Sequence, residues 1–324
     1  MSLSAQATEP LTMGHAPKWG ERFIVAVDRL DDRGHGVATL KVIIEPQGLE
    51  RDYRVTVPTA IPGDVVEVQI GKPRRRQVGA RLIKVHEPAP QRVDAQCRHF
   101  GPTDDSGTRG CGGCSLQQLD YSAQLFHKAA RVRNLLSLAS DDQVDECLAA
   151  SDTFRYRNKM EFSFGDDPKH APTLGLHPIG RRYEVIDVHD CLLCSESVMD
   201  LVNTTRVWMQ SNRLVHHNAR RQTGWLRTLM VREGHHTSER LVELTTSACE
   251  HVSVDGQDIS AESLVMQWCD QIQALNARHD LNLVSVWWTR HDARRGHKTQ
   301  LHSRVLAGRE TYREELRIGD SKPL

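Results

Sequence analysis

Four of the eight cysteines constrain this chain of 324 residues more than any other feature. Cys97, Cys111 and Cys114 crowd into the loop CRHFGPTDDSGTRGCGGC, and Cys191 returns much later at the end of EVIDVHDC. Thiolates hold iron or zinc only where several converge, and Gly112 and Gly113 allow a turn tight enough to aim the sulfurs of Cys111 and Cys114 at one centre. The layout reads first as an iron–sulfur site. A four-cysteine zinc site is the alternative, made of the Cys-x2-Cys pairs Cys111/Cys114 and Cys191/Cys194 and leaving Cys97 spare. The gap between those pairs is much longer than in compact zinc ribbons. Cys147, Cys249 and Cys269 sit in ordinary apolar surroundings and read as small buried hydrophobes.

A disulfide framework is disfavoured, because a chain of this length buries a full core without staples and its first residues lack the pattern of a secretory signal. The length suits two or three domains. No apolar run approaches the ~20 residues that span a bilayer, so a cytoplasmic protein without a membrane partner is expected. The 42 basic and 42 acidic residues cancel, which leaves the distribution of charge as the informative quantity. Lys72, Arg74 and Arg75 form one local basic cluster, and Arg157 and Lys159 belong to a second. Together they are the candidate RNA-facing residues. Arg181-Arg182 and the stretch from Arg290 to Lys298 are further basic clusters.

Residues 1–18 read as a disordered tail. From 19 to 88 the chain shows short, β-branched, alternating runs (ERFIVAVDRL, GVATLKVIIEP, RDYRVTVP, VVEVQIG and VGARLIKVHEP), which predict five strands closing a small antiparallel barrel. Pro62 and Gly63 suit a type II turn between two of them. Gly34-x-Gly36-Val37-Ala38, Val57-Pro58 and Pro62-Gly63-Asp64-Val65-Val66 resemble the TRAM domain, an OB-like barrel of RNA-modifying enzymes. A barrel of this kind offers a concave face to single-stranded nucleic acid.

The cysteine loop occupies residues 89–115. A helical segment follows at 116–150, with Leu125, Ala129, Val132 and Leu136 on one apolar stripe. From 151 to 316 the texture becomes α/β, with strands in RNKMEFSFG, TLGLHPIG, RYEVIDV, WLRTLMVREG, ERLVELTTS, LVSVWWTR and TQLHS, and helices through SESVMDLVNTTRVWMQS and ESLVMQWCDQIQALNA.

These stretches resemble, in order, the RNA uracil-5 methyltransferase family, which forms 5-methyluridine in ribosomal and transfer RNA. The carrying segments are CRHFG…CGGCSLQQLDYSAQLFHKAARVRNLL, YRNKMEFSFG, LGLHPIGRRYEVIDVHDCLLCSE, LRTLMVREG and SVWWTRHDARRG. The resemblance implies that Cys97, Cys111, Cys114 and Cys191 ligate a [4Fe–4S] cluster, that these four converge in space, and that RNA is the partner. Residues 102–110 read as an inserted surface loop, which costs little closure entropy.

Family members continue into a Rossmann-like domain that binds S-adenosylmethionine and carries a nucleophilic cysteine and a carboxylate base. This chain shows no glycine-rich strand-to-helix turn to cradle that cofactor, and no catalytic residue is assigned. The expected fold is therefore an OB-like barrel followed by an α/β central domain, with the Rossmann-like methyltransferase domain absent and residues 317–324 a truncated start of it. On that expectation the chain alone binds RNA without catalysing, and the stripe of the 116–150 segment packs on the missing domain, supplied in trans. A free-standing RNA-binding iron–sulfur or zinc protein without enzyme activity is the alternative.

Overall fold

The computed structural model describes residues 7–102, 110–137, 144–167, 171–293 and 296–317. The chain divides into two compact units, Met1–Ser151 and Asp152–Leu324.

The first unit is built on β1 (Leu11–Met13), β2 (Arg22–Leu30), β3 (Gly36–Ile44), β4 (Leu49–Val57), β5 (Val65–Ile70) and β6 (Gln77–Glu87), in the order β1-β3-β2-β5-β6-β4 with β4 returning to β3. The barrel closes through a parallel pairing of β4 with β6, in which Arg54, Val55 and Thr56 face Gln77, Val78 and Gly79. Alternation along each strand sends Val25, Leu40, Val55, Val68 and Val78 into one core. Gly36 is required by close packing, since a Cβ there would stand 2.7 Å from the Ala60 carbonyl oxygen and 2.9 Å from a Val27 methyl. β1 is a sixth strand that lies within the segment expected to be a loose tail; it runs parallel to β3, with Leu11 opposite Val42.

Helix α1 spans Tyr121–Leu135 and starts later than the apolar pattern suggests. Asp120 is the reason, because its carboxylate accepts the amides of Ser122 at 2.9 Å and Ala123 at 3.4 Å and fixes the first turn there. Leu119 turns away to pack with Ile61 and Ala89. Of the predicted stripe, Ala129 is buried and Leu125 half-buried, while Val132 and Leu136 remain 43% and 62% exposed.

The second unit holds β7 (Lys159–Asp166), β8 (Pro172–Leu176), β9 (Ile186–Asp187), α2 (Glu196–Ser211), β10 (Leu226–Glu233), β11 (Arg240–Ser247), β12 (His251–Val254), β13 (Gln257–Ser260), α3 (Ala261–His279), β14 (Leu283–Asp292) and β15 (Gln300–Gly308). Seven strands form one sheet in the order β15-β14-β11-β10-β7-β8-β9, and β12 pairs with β13 as a separate hairpin. The two helices pack on each other through Trp208 and Trp268, whose rings lie 6.4 Å apart, and the Trp268 indole N–H donates to Thr205 Oγ1 at 3.0 Å.

This sheet corrects the expected α/β character of the central region. Among its described strands the one parallel pair is β11 with β14, and α3 lies in the connection between them; every other neighbouring pair is antiparallel. Parallel strands need a crossover long enough to return the chain to the same end, whereas the short links β7–β8, β10–β11 and β14–β15 return it by hairpins. No described helix is long and apolar enough to cross a membrane.

Candidate RNA interface and cysteine loop

The cysteine loop is held as two arms. The Phe100 amide donates to the Cys97 carbonyl at 3.0 Å, and the Cys111 amide donates to the His99 carbonyl at 2.6 Å. Gly110 presses on Gly101 so closely that a Cβ would fall 1.8 Å from its carbonyl oxygen, so the arms meet only because glycine stands there. The amide of Cys97 donates to Gln117 Oε1 at 3.2 Å, and the Gly113 amide points at the Cys111 sulfur at 3.4 Å. Cys111 is buried, and Cys97 and Cys114 are half-buried. Residues 103–109, the heart of the expected insertion, lie outside the described residues.

Cys191 belongs to the second unit, in a tight turn that leads into α2. Cys194 folds back on it, its amide donating to the Cys191 carbonyl at 3.4 Å, and Ser195 caps the helix by accepting the Val198 amide at 3.2 Å. Hydrogen bonding from the Cys194 thiol, the amides of Leu193 and Cys194, and the charge of Arg157 overcome burial and pull the Cys191 thiol down to about 6. The Cys194 thiol donates to the Cys191 carbonyl oxygen at 3.6 Å, and its own pKa is pushed up by the neighbouring Cys191 thiol and by burial. Among the described residues no group of three or more cysteine, histidine or acidic side chains is placed to hold a metal ion. Several cysteines in one glycine-bearing loop are donors that suit a thiolate-bound group.

Burial pushes up the thiols of Cys249 and Cys269, the latter also through Asp270, which makes both poor nucleophiles at neutral pH. Helices α2 and α3 begin at Ser195 and Ser260 without a glycine-rich approach, so these turns do not fit a nucleotide-like cofactor.

Lys72, Arg74 and Arg75 are exposed on the turn between β5 and β6. Arg74 and Gln77 exchange backbone hydrogen bonds of 3.0 and 3.1 Å, and Arg75 sits at φ +58°, which turns the chain sharply and splays consecutive guanidinium groups outward. The structure adds Arg54, exposed on β4, whose amide donates to the Arg76 carbonyl at 2.9 Å. Arg54 is distant in sequence from that run, so only the parallel β4–β6 closure reveals it. In the second unit Arg157 and Lys159 are exposed beside the Cys191 turn, where the amides of Arg155 and Arg157 donate to the carbonyls of Leu192 at 2.7 Å and Leu193 at 2.9 Å.

No family model matches the sequence. The chain is similar to proteins named as uncharacterized RNA methyltransferases, at 32% identity over 265 residues to one from Protochlamydia amoebophila, covering 82% of this chain and 57% of that protein. A second, from Clostridium tetani, is 28% identical over 266 residues, covering 81% of this chain and 54% of that protein. The chain thus spans about half the length of the curated relatives it matches. In fold it resembles the crystal structure of the Pyrococcus abyssi tRNA (uracil-54, C5)-methyltransferase in complex with S-adenosyl-L-homocysteine, with a TM-score of 0.58 and 18% identity over 91% of this chain and 57% of that one.

This likeness overturns the expected fold class. Nearly the whole chain follows the fold of a methyltransferase structure, and an architecture defined by an absent methyltransferase domain does not stand. Of residues 317–324, read as the truncated start of that domain, 318–324 lie outside the described residues.

Proposed function

We propose that the protein containing this chain is an S-adenosylmethionine-dependent methyltransferase acting on C5 of uracil in RNA, and that the described residues serve RNA recognition. The observation that carries this reading is the similarity to proteins named RNA methyltransferases along 82% of the chain. Likeness of fold to a tRNA uracil-C5 methyltransferase supports the choice of atom.

The barrel, residues 19–88 as a TRAM-like domain, is proposed to bind single-stranded RNA, with Lys72, Arg74 and Arg75 neutralising phosphates and Arg157 and Lys159 doing the same in the central region. Exposed guanidinium and ammonium groups at a turn suit this role, because backbone contacts position RNA without reading its sequence. Cys97, Cys111, Cys114 and Cys191 are the proposed ligands of a [4Fe–4S] cluster, on the strength of the resemblance in their flanking sequences. S-adenosylmethionine supplies the methyl group when bound. The chemistry at uracil calls for a thiolate adding at C6 and a base that removes the C5 proton. No described side chain is assigned either role.

The test uses the full-length protein with ribosomal and transfer RNA transcripts made from uridine tritiated at C5. Methylation at C5 displaces that hydrogen, so tritium is expected in water together with 5-methyluridine in the RNA. Methyl incorporation without tritium release overturns the assignment to C5.

A further inference from the structure

We propose that Tyr183 is a stacking platform for an unpaired nucleobase of RNA, with Arg182 and Arg220 beside it to hold the adjoining phosphates. The inference rests on the reading that this chain binds RNA and deepens it by naming a subsite. Tyr183 lies in the loop between β8 and β9, at a cleft of ≈ 550 Å³ that it lines with His177, Pro178 and Glu184. Tyr183 is 68% exposed, and the guanidinium carbons of Arg182 and Arg220 lie over its ring, 4.9 and 5.1 Å from the centroid.

The exposure is built by the fold. His177 Nδ1 donates to the Glu184 carbonyl at 2.8 Å and its Nε2 lies 3.0 Å from Ser163 Oγ, which ties the loop end to end and anchors it to β7. Gly180, at φ +72°, and the Arg181 amide donating to the Pro178 carbonyl at 3.2 Å shape the turn between them. Arg220 comes from a different loop, fixed as firmly. Asn218 Oδ1 accepts the amides of Arg220 at 3.0 Å and Arg221 at 3.1 Å, and the Asn218 amide donates to the Thr223 carbonyl at 2.7 Å. Two ordered loops therefore bring guanidinium groups over one largely exposed ring.

Among the described residues no carboxylate pairs with Arg182 or Arg220. Arg221 adds exposed positive charge, while Arg181 pairs with Glu184 at 3.8 Å. A largely exposed aromatic ring with guanidinium groups over it suits unpaired RNA, because a base stacks on aromatic rings and guanidinium planes alike and every linkage carries a phosphate. Duplex RNA keeps its bases stacked internally and has no free face to offer.

The experiment measures binding of a short fluorescein-labelled oligouridine, and of an RNA duplex of equal length, to the full chain and to Tyr183→Ala, Tyr183→Phe and Arg220→Ala. Tyr183 is exposed, so these variants should fold, which circular dichroism checks. Tyr183→Ala is expected to weaken oligouridine binding about tenfold with an unchanged salt slope and to leave duplex binding alone. Tyr183→Phe should bind as wild type, and Arg220→Ala should weaken binding and flatten its salt dependence. Wild-type affinity in Tyr183→Ala, or an equal loss in Tyr183→Phe, overturns the inference while leaving RNA binding intact. If the wild-type chain binds neither RNA at low salt, the parent reading falls and this inference with it.

Discussion

Arg92 grips Asp64 at two points, Nε donating to Oδ1 at 2.9 Å and Nη2 to Oδ2 at 2.6 Å, and the Asp64 side chain has no exposure to solvent. The same carboxylate accepts the amides of Ile61 at 2.8 Å and Ala89 at 3.0 Å, while Arg92 Nη2 also donates to the Thr59 carbonyl at 3.0 Å. This pair joins the turn before β5 to the segment that leaves the barrel. Removing one partner strands the other charge, so Asp64→Ala should cost about 3–5 kcal/mol. Urea unfolding of the variant checks this; a loss under about 1 kcal/mol, the value of an exposed pair, would show the site to be solvated.

Alternation made the barrel strands readable, since Val66, Val68 and Ile70 are buried while Glu67 and Gln69 between them are not. The hairpin of β12 and β13 was also readable and missed: Asp255 at φ +50° and Gly256 at φ +80° form the Asp-Gly turn that marks such hairpins. Strand direction was not readable, because β-branched runs look alike in parallel and antiparallel sheets. The α1 boundary needed Asp120, the capping residue between Leu119 and Tyr121. Arg54 and the Tyr183 site depend on long-range pairing and on two converging loops, which local pattern does not encode. The expectation of an absent domain failed for another reason, since matching short motifs one by one carries no physical information about how the whole chain packs.

Glu239 ties the chain after β15 to the turn between β10 and β11. Its carboxylate is held below the ordinary glutamate range chiefly by hydrogen bonding from Arg309, with further help from the Arg313 amide, which donates at 2.6 Å. A depressed carboxylate stabilises the fold above its unfolded pKa, near 4.5, and that contribution is lost as pH falls through the lower folded value. Amide exchange at Arg313, corrected for intrinsic rates, should therefore be protected at neutral pH and accelerate only below pH 4.5. In Glu239→Gln that acid dependence should vanish.

Replacing Lys72, Arg74 and Arg75 by glutamine should weaken RNA binding and flatten its salt dependence by roughly 0.7 in slope for each single-strand phosphate contact removed. Salt titrations of affinity read both quantities. An unchanged slope would remove this turn from the interface.

Metal analysis of protein purified without oxygen decides the cysteine chemistry. Iron and acid-labile sulfide in equal amounts are expected, and substitution of Cys97, Cys111, Cys114 or Cys191 by serine should abolish them. Zinc retained in Cys97→Ser but lost in Cys194→Ser would support the two-knuckle alternative instead.

Uracil-C5 methylation is tested most directly by mass spectrometry of nucleosides from ribosomal and transfer RNA of cells with and without the gene for this protein. The proposal predicts that 5-methyluridine disappears from one RNA species and returns with the gene. Unchanged 5-methyluridine alongside the loss of a different methylated nucleoside would contradict it.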